Sequence, residues 1–523
     1  MKDEASLSVK KYIGYGVTDM FSGGVFALIS AWLLYFYVTF CGLTPIEAGS
    51  ILFIARILDT IISPVMGYIT DNFGHTKLGK KFGRRRFFLL LGCPLMAIFS
   101  LMWIDNMGYF YYLTIYLLVE ILAAMIIIPY EALASEMTSN YGQRTRLSAA
   151  RIIFGGLGTF LATFIPGRLF ALYGSGSAKV FFATGVVFTL ISMTVIFITW
   201  LSTWERPAEP QQTRKVKKKD GSLLSQLKHV FTDLFSTLRV RSFRQHLMMY
   251  IFSFTAMDML SAVFTFYVVF ALNQNATLAA NLMSVGIFCF GWVTALFAWG
   301  FIRFTPSRML QLCYSMVILC MLGYTAFYFY PSHWMIPALY VISFIYQVFK
   351  GGYVYLSWNI YPFIPDVDEV MSTRRREGVF AGMMTFVRKS TLAISTLLIG
   401  FLLQMNGFVS NSQSQSQQAI DTIVGIVSIG SISMLAVCLF ISFRFRLNNH
   451  NHQLLLLEIA RLKATDGDKT GASAETRDVL EQLTGYPYEA LWNPKIISGK
   501  VAKRSNNHLS TSLNVEENPL EKH

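Results

Sequence analysis

The sequence predicts an all-α membrane protein in which twelve spanning helices form two six-helix lobes, and three observations lead there. Of the 523 residues, 54% are hydrophobic and only 14% are charged, with a mean hydropathy of +0.46, far above what a soluble domain tolerates. Twelve apolar stretches of about 20 residues or more follow one another, each long enough to cross a ~30 Å hydrocarbon core as a helix. A polar stretch from Thr203 to Arg244 divides them six and six, the pattern of a two-lobed bundle built by duplication.

In chain order, the stretch at 14–40 carries Asp19 near its start, where a carboxylate suits the positive end of the helix dipole. The second, at 46–68, carries Arg56, Asp59 and Ser63, whose i, i+3, i+7 spacing puts them on one face. Stretches at 87–105, 109–136, 148–172 and 179–202 complete the first lobe, expected at 1–202, with Glu120 and Glu131 in the fourth and Arg151 in the fifth. A basic linker occupies 203–243. The second lobe, 244–445, comprises stretches at 244–272, 279–302, 309–330, 334–363, 378–404 and 420–443, and its first span repeats the opening of the chain: Asp258-Met259-Leu260-Ser261-Ala262 echoes Asp19-Met20-Phe21-Ser22-Gly23. Lys350 sits mid-span before Gly351 and Gly352, where a helix loosens and exposes backbone groups. Arg388 and Lys389 are adjacent, about 100° apart around the helix, so at most one is expected to point squarely into a given site. The tail, 446–523, is expected to be flexible apart from a short amphipathic helix at Leu454–Leu462.

Lys and Arg crowd one side of this topology, at Lys10 and Lys11, Lys77 to Arg86, Arg144 and Arg146, Arg214 to Lys219 and Arg374 to Arg376, whereas the opposite loops carry almost nothing but Lys179. The positive-inside rule then makes both termini, the linker and the tail cytoplasmic. The net charge of +14 follows from topology and anionic headgroups and gives no reason to invoke nucleic acid. The first stretch is too long for a cleavable signal peptide and lacks a cleavage site. Six scattered cysteines imply no disulfide framework.

Other chemistry is weak. Gly74-His75-Thr76-Lys77-Leu78-Gly79-Lys80-Lys81 approaches a phosphate-cradling loop, but Lys81 replaces the hydroxyl that would hold magnesium and no strand precedes it. The eight histidines fall in loops, linker, tail or span ends, so no metal cluster, cofactor or histidine relay is expected. No nucleophile with a positioned base lies in a span, which argues against an enzyme. Asn275-Ala276-Thr277 fits a glycosylation acceptor, a match too short to weigh.

What stands out is a set of ionisable residues at membrane depth: Asp19, Arg56, Asp59, Glu120, Glu131, Arg151, Asp258, Lys350, Arg388 and Lys389. A charge at the centre of a membrane helix persists only where it is paired or lines a polar cavity. These residues therefore read either as a polar solute path or as buried pairs that lock helix packing. The aromatic residues Tyr130, Tyr353, Tyr355 and Trp358 have the same two readings, stacking on a ring-shaped solute or plain packing.

Several motifs in order resemble the glycoside-pentoside-hexuronide:cation symporters, the melibiose-permease branch of the major facilitator superfamily. They are Tyr15-Gly16 with Asp19, Phe36-Tyr37 and Gly42-Leu43; Ala55 to Pro64 in the second span; Gly67 through Asp71 with Gly83 to Arg86; Ile128-Pro129-Tyr130, Arg144 and Arg151; Pro365 to Asp368; and Arg375 to Gly378 with Phe386 and Lys389. The likeness covers roughly residues 10 to 445. It implies the major facilitator fold, alternating access in a bacterial inner membrane, a sugar site between the lobes and a coupling-cation site on the second span. Carried over by position, Asp59 is the main coupling carboxylate, Lys389 the eleventh-span lysine near the cation site and Arg151 a sugar-site arginine; Arg56 and Ser63, on the same helical face as Asp59, complete the expected cation-coupling set.

The chain also departs from the family pattern. Ser63 stands where sodium-coupled members have a second carboxylate, and Gly23 and Ile127 stand where the melibiose permease contacts its galactoside, while Glu131 replaces an aromatic residue. Sodium needs several oxygen ligands whereas one carboxylate carries a proton, so H+ is expected ahead of Na+. The excess of Arg56, Arg151, Lys350, Arg388 and Lys389 over cavity carboxylates suits an anionic sugar, a uronide or short oligouronide. The expected substrate-binding set is Asp19, Tyr130, Glu131, Arg151, Asp258, Lys350, Trp358 and Arg388, in a monomer whose partners are the sugar, the coupling cation and the lipid bilayer. Asp71 with Arg84 and Arg85, and Asp366 and Asp368 with Arg374, Arg375 and Arg376, read as a cytoplasmic latch. An uncoupled facilitator, a lysolipid carrier of the same fold and a non-transporting sensor are the alternatives.

Overall fold

The computed structural model describes residues 7–205 and 232–493 except Ser139, Ser175 and Phe290; the side chains of Asp71, Tyr141, Ile287, Phe288 and Ile302 also lie outside it. The linker charges at 214–219 and the tail beyond Asn493 are therefore outside the described residues.

Among the described residues, ten helices are long and apolar enough to cross a membrane. In order they are α1 (Val9–Thr39), α2 (Pro45–Asn72), α4 (Tyr109–Met137), α5 (Tyr141–Tyr173), α6 (Lys179–Ser202), α7 (Arg241–Ala271), α9 (Pro306–Phe329), α10 (Met335–Ser372), α11 (Glu377–Met405) and α12 (Gln417–Arg444). The third and eighth expected spans are the exceptions. α3 (Arg86–Leu101) is short and apolar and is interrupted after Leu95, just past Pro94, where proline removes a backbone donor. α8 is in two pieces, Ala276–Ser284 and Trp292–Arg303, with a 3₁₀ segment at Val285–Cys289 and Gly291 at φ +84° between them. That φ favours glycine, so the break is written into the chain.

Within the first 202 residues α1 packs on α5 and α6, α2 on α4, and α3 on α4 and α6. α1 and α5 approach through glycines: a Cβ on Gly158 would lie 2.5 Å from the Met20 carbonyl oxygen. Helices that associate without a hydrophobic drive need such close backbone contact. Residues 241–444 repeat the scheme, with α7 on α11 and α12 and α9 on α10 and α12. The two sets meet through α2 with α11, α5 with α8, and α1 with α7. Several contacts that join them lie at the face opposite the basic loops. Ser410 Oγ donates to the Leu43 carbonyl at 2.7 Å, Ile46 N–H to Gln404 at 3.1 Å, Ser284 to Thr163 at 2.9 Å, and Tyr35 sits edge-on to Phe266.

The tail departs from expectation. Its helix is α13 (Asn449–Ala464), longer than Leu454–Leu462, and α14 (Ala474–Thr484) comes after it. Both dock on the basic-face end of the second half, against α10 and the start of α7. Leu455, Leu480 and Leu483 are fully buried there. Arg461 forks onto Glu458 at 2.7 and 3.0 Å, and Tyr488 donates to the same carboxylate. Burial first, then Glu458, pushes the Tyr488 phenol up to about 12, so it stays a donor at physiological pH. The main-chain N–H groups of Trp492 and Asn493 reach the Val370 and Met371 carbonyls at 2.8 and 2.9 Å, satisfying acceptors that the end of α10 leaves open. Composition suggested flexibility because the apolar residues are few; they are enough because they all face one ready-made surface.

Leu480→Ala should cost about 2–5 kcal/mol of docking energy by leaving a cavity. Limited proteolysis of the 465–473 turn is expected to speed up at least tenfold while the spanning helices stay resistant; an unchanged cleavage rate would contradict the docked tail.

Candidate functional site

Two cavities lie between the halves, of about 470 and 420 Å³. They share Ala27 and Ser30 of α1 and Asp258 of α7. Ser30 falls in a π turn of α1, Ile29–Leu33, and an equivalent π turn, Tyr267–Ala271, comes after Asp258 in α7. Such widened turns often mark functional positions.

The smaller cavity is lined by charged groups from three helices: Arg56 and Asp59 of α2, Asp258 of α7, and Arg388 and Lys389 of α11. Lys389 Nζ lies 2.8 Å from Asp59 Oδ2 and 3.0 Å from Ser63 Oγ, and Ser63 donates to the other Asp59 oxygen at 3.0 Å. This triad bridges the two halves. Arg388 forks onto Asp258, with the longer bond at 2.9 Å, and its guanidinium lies over the Phe254 ring. Both neighbours on α11 thus reach the same space, against the expectation that at most one would. They diverge around the helix, and their long stems let each head find its own carboxylate. Arg56 Nη1 approaches Glu120 Oε1 to 3.2 Å, close enough for an ion pair but without hydrogen-bond alignment. It also lies over Phe26. Because α2 and α4 belong to the same half, this is the arrangement a packing pair would have.

The larger cavity holds Lys350 together with Gln347, Tyr346, Tyr324 and Asp258, and the α8 break forms part of its wall. Gln347 donates to the Met283 carbonyl at 3.1 Å beside that break. Lys350 Nζ sits 5.5 Å from the Tyr346 ring centroid, and among the described residues no carboxylate lies within ion-pair distance of it. This corrects the expected excess of cations. Arg56, Arg151, Arg388 and Lys389 each have a carboxylate partner, and the case for an anionic solute narrows to Lys350.

Asp19, Tyr130, Glu131 and Arg151 line neither cavity. Arg151 Nε bonds Asp19 at 2.7 Å, Tyr130 donates to Asp19 at 2.5 Å, and Arg151 also reaches Glu131 at 3.0 Å, which is half exposed. Tyr15 stacks on Tyr130. The two aspartates of the sequence echo therefore take equivalent partners: Asp19 pairs with an arginine 132 residues downstream and Asp258 with one 130 downstream. Trp358 is half exposed, edge-on to Tyr250, and also lines neither cavity.

At the basic face, Arg84 and Arg85 both reach Glu136, Arg84 at 2.6 Å, and Glu205 accepts from the backbone N–H groups of Arg84, Arg85 and Arg86. Asp71, expected as their partner, has its side chain outside the described residues. Arg376 forks onto Asp368 at 2.7 and 2.8 Å. Arg375 reaches Asp366 at 3.4 Å and Glu377 at 2.6 Å, and Asp366 is also held by His452 of α13 at 2.8 Å. These pairs stay within their own halves. Glu136 and Glu205 went unnoticed in the sequence because a glutamate at a helix end reads as solvated. Gln347 and Ser30 carry no charge to flag them. Among the described residues no three His, Cys, Asp or Glu side chains converge to hold a metal.

Arg56→Met should leave Glu120 charged and unpaired, a loss of about 3–5 kcal/mol for a buried pair. The melting temperature of the purified protein is expected to drop clearly, and Arg56→Met with Glu120→Leu to recover most of it. No recovery in the double variant would mean Arg56 does more than pair.

A family model described as MFS/sugar transport protein matches residues 14–449. The chain is 25% identical over 439 residues to the isoprimeverose transporter of Lactiplantibacillus pentosus, covering 78% of this chain and 82% of that one. It is 23% identical over 474 residues to the glucuronide carrier protein homolog of Escherichia coli (strain K12), covering 87% and 96%. Among solved structures it resembles the nucleoside transporter NupG, with a TM-score of 0.58 at 13% identity over 84% of this chain and all of that one; this likeness speaks to the fold alone.

Proposed function

From the premise that this chain belongs to the MFS/sugar transport protein family, we propose that it imports a sugar or glycoside by proton symport through alternating access. The coarser statement needs no proposal: it is a multi-spanning helical secondary transporter of the major facilitator superfamily, with a transport role and not a catalytic one. The finer reading places it in the glycoside-pentoside-hexuronide branch, with twelve spans in lobes at 1–202 and 244–445, both termini cytoplasmic and the basic face inward.

The observation that carries the reading is the ion pair from Asp59 to Lys389, which ties α2 to α11 inside the cavity. At an effective dielectric near 20 such a pair is worth on the order of a few kcal/mol before desolvation. Protonating Asp59 removes the attraction and frees both helices to part. Restoring the pair on the other side of the membrane expels the proton, so proton binding and rearrangement become one linked equilibrium. Sodium is less favoured, since the near neutral oxygen at Asp59 is that of Ser63 and an ammonium already occupies the carboxylate. Contacts joining the halves at the far face correspond to an inward-open state. The pairs of Arg84 and Arg85 with Glu136, and of Arg376 with Asp368, then act as the separated parts of a latch that closes the cytoplasmic side in the alternate state.

A cavity of about 470 Å³ falls in the range of small-molecule sites. Lys350, a cation at its wall without a carboxylate partner among the described residues, supports a uronide, as does the likeness to a glucuronide carrier homolog. Asp258 lines both cavities and holds Arg388 in the smaller one, so solute contact there would be linked to the Asp59 site.

Asp59→Asn keeps size and hydrogen bonding while removing the titratable group. In proteoliposomes it is expected to abolish accumulation driven by a pH gradient and to retain exchange; undiminished accumulation would remove Asp59 from coupling. Lys350→Gln is expected to weaken uptake of acidic glycosides about tenfold or more, the worth of a charge-assisted hydrogen bond, and of neutral ones far less. Equal losses would make Lys350 structural.

A further inference from the structure

A third cavity, of about 500 Å³, lies apart from the transport path at the basic face, between the α8–α9 corner, the end of α10 and the first turn of α13. Its lining mixes two chemistries, the apolar Phe301, Phe304, Phe363 and Leu447 and the polar Arg303, Asn449, His450 and His452, with Phe363 edge-on to His452.

Arg303 is the informative group. Its guanidinium lies 5.8 Å from the Trp299 ring centroid, and among the described residues no carboxylate is within ion-pair distance. The two histidines of the lining are themselves held by acids, His450 by Glu475 at 3.1 Å and His452 by Asp366 at 2.8 Å, which leaves Arg303 as the cation open to an anion. Trp299 and Phe304 are 54% and 44% exposed. Large aromatic residues open to the outside beside an arginine at the end of a spanning helix mark headgroup depth. The helices Pro306–Phe329 and Asn449–Ala464 both begin at this cavity, so their positive ends add to the field.

We propose that this cavity binds one acidic phospholipid, with its phosphate against Arg303 and the start of α13 and its glycerol and upper acyl carbons against the phenylalanines. The mixed lining decides the occupant. A free phosphate would satisfy Arg303 and leave the apolar side chains bare, and a zwitterionic lipid would bring a second cation to a site that already holds an arginine. Because the start of α13 supplies part of the polar lining, the docked tail completes the site. The same tail grips Asp366 and Glu369 at the end of α10, so a bound lipid favours the docked state.

The test uses the full-length protein in detergent, with binding of dioctanoyl phosphatidylglycerol, dioctanoyl phosphatidylcholine and inorganic phosphate tracked by native mass spectrometry and calorimetry. Phosphatidylglycerol should bind at one site, at least tenfold more tightly than phosphatidylcholine. Arg303→Gln should weaken it about tenfold, and Arg303→Lys, which keeps the charge, should retain most of the affinity; melting temperatures identify any variant that is merely misfolded. His450→Gln, from the tail side, should weaken it severalfold and serves as the second arm if Arg303→Gln fails to fold. Equal affinity for the two lipids, or phosphatidylglycerol binding untouched by both Arg303→Gln and His450→Gln, overturns the proposal. Phosphate binding that depends on Arg303 and is not displaced by phosphatidylglycerol also overturns it, by assigning the site to a soluble anion.

Discussion

A charge left unpaired among apolar helices costs several kcal/mol, and that cost organises the centre of this protein. Arg56, Arg151, Arg388 and Lys389 each meet a carboxylate on another helix. The pairings divide by where the partner sits. Arg56 with Glu120 and Arg151 with Asp19 stay inside the first half, and Arg388 with Asp258 stays inside the second. Lys389 with Asp59 crosses between them. The first kind holds a bundle together; the second kind links the bundles, so a change in its charge reaches both.

The pairing of Asp19 with Arg151 and of Asp258 with Arg388 repeats in the two halves. Each aspartate lies in the first helix of its half, precedes a π turn and takes an arginine at nearly the same separation downstream. The surroundings then differ. Asp19 is closed in by Tyr130 and Tyr15, whereas Asp258 opens on both central cavities. The same aspartate–arginine pairing thus sits in two different surroundings in the two halves.

The basic face has its own organisation. Glu136 and Glu205 gather the arginines of the α2–α3 loop, and the docked tail gathers the acids at the end of α10. Gripping the end of α10 through two side-chain contacts and two main-chain hydrogen bonds makes α13 and α14 part of the second half. They would move with it in any rearrangement.

The chain by itself determined the helices and the depth of the charges, because a hydrocarbon core admits little but long apolar helices and makes every ionisable residue inside it conspicuous. The break inside the stretch at 279–302 was not legible, since hydropathy averages over the turn that Gly291 allows. Positional likeness singled out Asp59 and Lys389, helical spacing singled out Ser63, and the structure brings those three within hydrogen-bond reach. What only the tertiary structure decided was partnership. Nothing along the chain says that Arg56 takes Glu120, that Arg84 takes Glu136, or that Lys350 is left without a carboxylate among the described residues, because those distances depend on helix rotation and crossing. The tail was illegible for the same reason: its few leucines form no core alone and acquire one only against the exposed ends of α7 and α10.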